Sequence, residues 1–294
     1  MNKKLLAALL LLAVGACKKA EKTEETSVVE TVSRQVPSFQ ADSAYAHIEK
    51  QVSFGPLYNS KVVPGINIVA SYKPEVEKRI LLAAHWDSRA YSDHDAKVKD
   101  QAIDGANDGA SGVGVLLEVA RNLVKDSAQV GVDFVLFDVE DWGAPDSYTG
   151  KVDIPHGGYC IGSEYWSKNP HKKPYTAYYG ILLDMVGAEG ATFYHELNSY
   201  EVAPTVISTV WSAASQLGFG QYFRNSKGSA ITDDHLPVIE NLGIPMIDII
   251  DYRLGGTANG FFPHWHTTGD KMNNISKSTL TAVGQTVLHV LYHE

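Results

Sequence analysis

From residue 37 onward the apolar positions repeat in two rhythms, one helical and one of short buried runs. Tyr45, Ile48 and Val52 share one face of a helix predicted over Asp42 to Val52. Val113, Leu116, Leu117, Ala120, Leu123 and Val124 have the spacing of a second helix face. A third helix is expected from Tyr200 to Leu217. Ser276 is suited to cap the last one, with Leu280, Val283, Val287, Leu288 and Leu291 inward. Strands are predicted from Ile66 to Tyr72, Arg79 to Ala84, Val130 to Asp138, Tyr179 to Val186 and Pro245 to Ile250. The run Ile80-Leu81-Leu82-Ala83-Ala84 has no polar face, as a strand covered on both sides requires. Such strands alternating with amphipathic helices predict an α/β fold. It is a single domain over 37–294, with a central mixed, mostly parallel β-sheet flanked by helices on both faces. Ligands of such sheets collect beyond the carboxyl ends of the strands.

The first residues follow a different pattern. Met1 to Lys4 is basic, Leu5 to Val14 is unbroken apolar, and Gly15-Ala16-Cys17 follows. The run is too short to span a bilayer as a helix but suits the core of an export signal. Its end resembles the bacterial lipobox, which implies that 1–16 is a lipoprotein signal peptide and that Cys17 carries lipid. Residues 17–36 have no period and read as a flexible tether. The chain is therefore expected in a bacterial cell envelope, lipid-anchored and periplasm-facing. Lys18, in place of an aspartate that would favour the inner membrane, points to the outer membrane.

Composition narrows the functional classes. With 44% hydrophobic and 20% charged residues the chain is globular, not disordered. The formal charge is −9, and more negative once Lys3 and Lys4 leave with the signal, so nucleic acid is not the expected partner. Cys17 and Cys160 form no Cys-x-x-Cys pair. Any zinc must then sit on histidine and carboxylates.

Such residues gather where the strands end. His85-Trp86-Asp87 follows one strand and Glu140-Asp141 another, while Asp184 lies near the end of a third. Asn107-Asp108-Gly109 opens a helix, and Pro263-His264-Trp265-His266 lies beyond the last strand. Taken singly, each has a plain reading: a hydrogen-bonded histidine, a helix cap, surface acids, loop histidines. Taken together on one rim, they suit a zinc site. Adjacent acids after a strand point different ways, so one can bind metal while its neighbour stays free as a base.

These segments, with Gly105-Ala106-Asn107-Asp108-Gly109-Ala110-Ser111-Gly112 and Leu183-Asp184-Met185-Val186-Gly187, resemble the zinc-dependent aminopeptidase superfamily. More narrowly, Phe137-Asp138-Val139-Glu140-Asp141, Asp233-Asp234-His235-Leu236-Pro237 and Trp265-His266 resemble the animal-like bacterial glutaminyl-peptide cyclotransferases, or glutaminyl cyclases. The resemblance implies a zinc-aminopeptidase-like fold and one Zn2+ per chain on Asp108, Asp141 and His266. It implies Glu140 as general base and acid, with Asp184 and Asp233 hydrogen-bonding nearby, and Trp265 as a wall of the substrate pocket. Two departures stand out: Asp141 and Asp248, where animal enzymes have glutamate and histidine. The implied substrates are peptides or proteins with N-terminal Gln, cyclised to pyroglutamate with release of ammonia. Two-zinc aminopeptidases use the same framework and add a metal through the equivalents of His85 and Asp184, with Asp108 bridging. His85 and Asp87 are therefore second-metal or supporting candidates, and hydrolysis of N-terminal residues is the alternative. A peptide-binding lipoprotein without catalysis would lack a ligand or the base, and none is missing.

Other residues read as structural. Cys160 suits a small buried hydrophobe, and His94, His156, His171, His195, His289 and His293 show no acid or strand-end partner. Trp142 fits either the pocket or ordinary packing, and the loop 143–158 either the entrance or a solvated insertion.

Overall fold

In the computed structural model the described residues are 35–55, 64–151, 153, 155–254 and 260–294. The signal, Cys17 and nearly all of the tether lie outside them. Five strands form the main sheet in the order β1-β3-β2-β4-β7: β1 (Ile68–Tyr72), β2 (Arg79–His85), β3 (Gly131–Phe137), β4 (Tyr179–Asp184) and β7 (Met246–Ile250). Only β1 at the edge runs antiparallel to its neighbour; the other pairs are parallel. Alternation along β2 divides the core. Ile80, Leu82 and Ala84 join one apolar cluster, Leu81 and Ala83 the other. The first cluster is completed by α1 (Ala41–Val52), α2 (Ala110–Lys125), α5 (Pro204–Gln216) and α7 (Lys277–His293). The second is completed by α3 (Ile161–Lys168) and α6 (His235–Leu242). The sheet is thus mixed, mostly parallel and covered on both faces, as the apolar β2 run requires.

Local chemistry explains most element limits. The Ser276 side chain accepts a hydrogen bond from the Thr279 amide and caps α7. The single helix expected from Tyr200 to Leu217 is two: α4 (Leu197–Val202) and α5, parted at Ala203 because Pro204 takes the first position of the second. Glu196 caps α4 by accepting from the Asn198 and Ser199 amides. On α2, Leu117 and Val124 are exposed, contrary to the predicted face. The packed face is rotated toward Val115 and Val119, because α1 and α7 cover that side. A small parallel pair, β5 (Phe193–His195) and β6 (Phe223–Lys227), has no counterpart in the hydrophobic pattern. β6 is exposed over four of its five residues, so no apolar run marks it.

Gly112 permits a close approach near the sheet ends. A methyl there would overlap the Leu183 carbonyl oxygen and crowd the Ala84 side chain. That contact lets α2 lie directly on β2 and β4, with its first turn at the rim.

Candidate active site

The rim residues come together. His85 is the last residue of β2 and Asp184 the last of β4; Glu140 and Asp141 follow β3 after a short bend. Asp108 precedes Gly109, where φ is +94° and a side chain would collide with the Asp87 carbonyl oxygen. Val139, Met185 and His266 all have positive φ (58°, 48° and 53°) beside or within the cluster. Backbone of this kind costs roughly 1–3 kcal/mol per residue and persists where surrounding structure over-determines it. Here it turns the chain abruptly at the strand ends, so that the acids face inward.

Two carboxylates hold the main chain of the acid-bearing turns. Asp87 accepts hydrogen bonds from the Glu140 and Asp141 amides at 3.1 and 3.0 Å. Asp270 accepts from the Asn107 and Asp108 amides, both at 2.9 Å. Asp87 therefore supports the acids through their backbone. Asp270, unmarked in the sequence, does the same for the opposite loop.

Asp108, Asp141 and His266 each present one donor atom within 4.8 Å of the others. His266 Nε2 lies 3.0 Å from Asp141 Oδ1 and 3.6 Å from Asp108 Oδ2. Asp108 Oδ2 and Asp141 Oδ2 are buried without a hydrogen-bond partner. Orphaned carboxylate oxygens converging with an imidazole fit a divalent cation, and two Asp with one His is a zinc-type donor set with room for a further ligand. His85 Nε2 sits 3.0 Å from Asp184 Oδ1 and 3.2 Å from Asp108 Oδ1, a second three-residue group sharing Asp108. Burial opposes ionisation of Asp108, but the His85 hydrogen bond and the His266 charge outweigh it, and its pKa is lowered.

Glu140 stands apart from the triad. Its carboxylate lies 3.5 Å from the Cys160 thiol and within 4.8 Å of Asp233. Burial, reinforced by Asp141 and by Asp233 and Asp234, pushes its pKa well above the usual carboxylate range. Burial and Asp184 push Asp233 up to about 7. Asp184 bonds to His85. A cavity of about 550 Å³ opens onto Asp108, Glu140, Asp141, Asp184 and Asp233, with Trp265 and Phe261 in its wall. The Trp265 ring stacks on His266 at 3.7 Å.

Several residues that spacing left aside belong here. His94 is not partnerless: it pairs with Asp146 at 3.2 Å and meets the Trp265 ring edge-on at 4.4 Å. His156, from the loop 143–158, lines the cavity, as does Tyr159. Cys160 is buried, as expected of a small hydrophobe, but it touches Glu140. None of these positions carries a periodic or motif signal. By contrast, His264 stays outside the cluster, its ring against Phe262.

Comparison with known proteins extends this picture. Residues 67–291 match the model of peptidase family M28. A crystal structure of a Zn-dependent exopeptidase from Parabacteroides distasonis is similar, with a TM-score of 0.84 and 44% identity over 88% of this chain and 100% of that one. Glutaminyl cyclase from Bacteroides thetaiotaomicron, solved with N-acetylhistamine, superposes with a TM-score of 0.83 and 43% identity, again over 88% and 100%. Glutaminyl-peptide cyclotransferase of Bos taurus is 25% identical over 246 residues, 73% of this chain, which spans 62% of that longer protein. The family match takes in every strand-end residue described above, and on that extent the chain belongs to peptidase family M28, a zinc aminopeptidase fold that glutaminyl cyclases share.

Proposed function

We propose that the protein is a glutaminyl cyclase, converting N-terminal glutamine of peptides and proteins to pyroglutamate with release of ammonia. The carrying observation is Glu140: a buried carboxylate outside the Asp108–Asp141–His266 triad, facing the same cavity, in a chain over 40% identical to a bacterial glutaminyl cyclase. One Zn2+ on that triad would polarise the side-chain amide carbonyl as a Lewis acid. Glu140 takes a proton from the substrate's α-amine as the amine nitrogen bonds to the amide carbon. The bond from that carbon to the amide nitrogen breaks, and Glu140 returns the proton to departing ammonia. Nucleophile and target belong to one residue, so the cavity's task is to select a folded-back conformer. Trp265 and Phe261 supply a rigid apolar wall for it. Burial and the neighbouring carboxylates Asp141, Asp233 and Asp234 keep the proton affinity of Glu140 high, while Asp184 holds His85.

The His85–Asp108–Asp184 group supports a second reading, a two-metal aminopeptidase in which Glu140 deprotonates water. One comparison separates them: the zinc-loaded protein with a Gln-initiated peptide and, in parallel, a leucine anilide. Ammonia and the matching mass loss, without anilide hydrolysis, are expected; release of the first residue instead moves the assignment to the peptidase.

We further propose that residues 1–16 direct export and that Cys17 carries the lipid anchor at the outer membrane. The support is the apolar run ending in Gly15-Ala16-Cys17. Cys17→Ala should release the protein from the membrane fraction, and unchanged retention overturns the anchor.

A further inference from the structure

Arg89 is among the largest side chains with no exposed surface, and it lies beside the metal-type triad without facing the cavity. Its guanidinium grips Asp93 with a fork, Nε to Oδ1 at 2.9 Å and Nη2 to Oδ2 at 2.5 Å. Its remaining arm, Nη1, donates to the Asp141 carbonyl oxygen at 2.9 Å. The Asp93 carboxylate also accepts from the Asp146 amide, and its Oδ1 faces His266 Nδ1 at 3.7 Å. The other His266 nitrogen, Nε2, faces Asp141 and Asp108. Trp265 stacked on one face limits how the imidazole can tilt.

A buried ion pair is a poor device for stability alone, since two apolar residues of similar volume often serve as well or better. Its location offers another reason. An imidazole donates one lone pair to a cation only if the proton sits on its other nitrogen, and a carboxylate facing that nitrogen selects the tautomer. A carboxylate free to swing would lose that selection, and a bidentate arginine prevents the swing. Arg89 also ties the carboxylate's position to the Asp141 main chain, so two of the three donors share one reference point.

We propose that the Arg89–Asp93 pair is a positioning clamp for the metal ligands. Asp93 holds His266 with Nδ1 protonated and Nε2 turned to the site, while Arg89 locks Asp93 to the Asp141 backbone. The inference rests on the metal-holding reading of Asp108, Asp141 and His266 and not on which reaction the site performs.

The test measures zinc affinity by competition with a chromophoric chelator, together with the visible spectrum of the Co2+-loaded protein. Asp93→Asn is expected to weaken zinc binding about 10- to 100-fold and to alter the cobalt bands. The paired change Arg89→Met with Asp93→Leu removes both charges of the pair together, so neither partner is left without the other, although Asp141 Oδ1 loses a guanidinium 3.7 Å away. It should keep the melting temperature of the metal-free protein while showing the same loss of affinity. Arg89→Lys, which keeps charge but not the fork, should fall between wild type and Asp93→Asn. A folded paired variant with wild-type zinc affinity and an unchanged cobalt spectrum overturns the clamp. A wild-type protein that takes up no zinc overturns the triad itself and the clamp with it.

Discussion

Glu140→Gln is expected to lower turnover of a Gln-initiated peptide by about 10²- to 10⁴-fold while leaving zinc content unchanged. The substitution keeps size and shape and removes only the capacity to accept a proton. The turn that carries residue 140 is held through its backbone by Asp87, so its placement does not depend on the side chain. The carboxylate itself touches Cys160 and contributes no atom to the Asp108–Asp141–His266 group, so the metal set survives. Burial and neighbouring acids raise its pKa, which suits a group that first takes and then returns a proton. Steady-state ammonia release paired with metal analysis by mass spectrometry makes the measurement. Near-normal turnover in the variant would remove Glu140 from the chemistry.

The second large effect concerns the metal. Asp108→Ala should abolish both stoichiometric zinc binding and turnover, because Asp108 lies in the group with Asp141 and His266 and also in the group with His85 and Asp184. The side chain is buried, and its loss strips His85 of one of its carboxylate partners and removes the oxygen that faces His266 Nε2 at 3.6 Å. A bound ion stabilises the folded state by mass action, about 2.7 kcal/mol at a free concentration 100-fold above its dissociation constant. Wild-type protein should therefore melt higher with added zinc, and Asp108→Ala should show no such rise. Zinc-dependent stabilisation of equal size in the variant would show that the ion sits elsewhere. Taken together, the two substitutions separate holding the metal from moving the proton.

Pattern and spacing made the main sheet legible because its central strands are apolar on both faces. Neither β2 nor β4 contains a polar residue before its last position except Arg79. Helix α7 was equally clear, with a cap and an unbroken apolar stripe. Elements that carry mixed polarity were not. The strand β6 is largely exposed, α3 and α6 are each eight residues long, and α4 parts from α5 at a proline inside a continuous apolar pattern. On α2 the fully buried Glu118 defeats a reading by hydrophobicity, because its carboxylate bonds to Arg121, Asn122 and the Gln40 amide.

At the site the division has the same cause. The amino-acid order alone determined that His85, Glu140, Asp141 and Asp184 fall at strand ends and that Asp108 precedes a helix, and parallel topology delivers successive carboxyl ends to one rim. Whether donor atoms meet is a matter of a few ångströms, and only the folded chain decided it. Left-handed backbone at Val139, Met185 and His266, and the backbone-gripping carboxylates Asp87 and Asp270, set those distances. Asp270 leaves no periodic trace because its partners are main-chain amides far along the chain, and Arg89 and Asp93, though four residues apart, lie outside any helix, where that spacing carries no signal. Their roles arise from burial, which makes an unpaired charge costly and so a paired one highly directional.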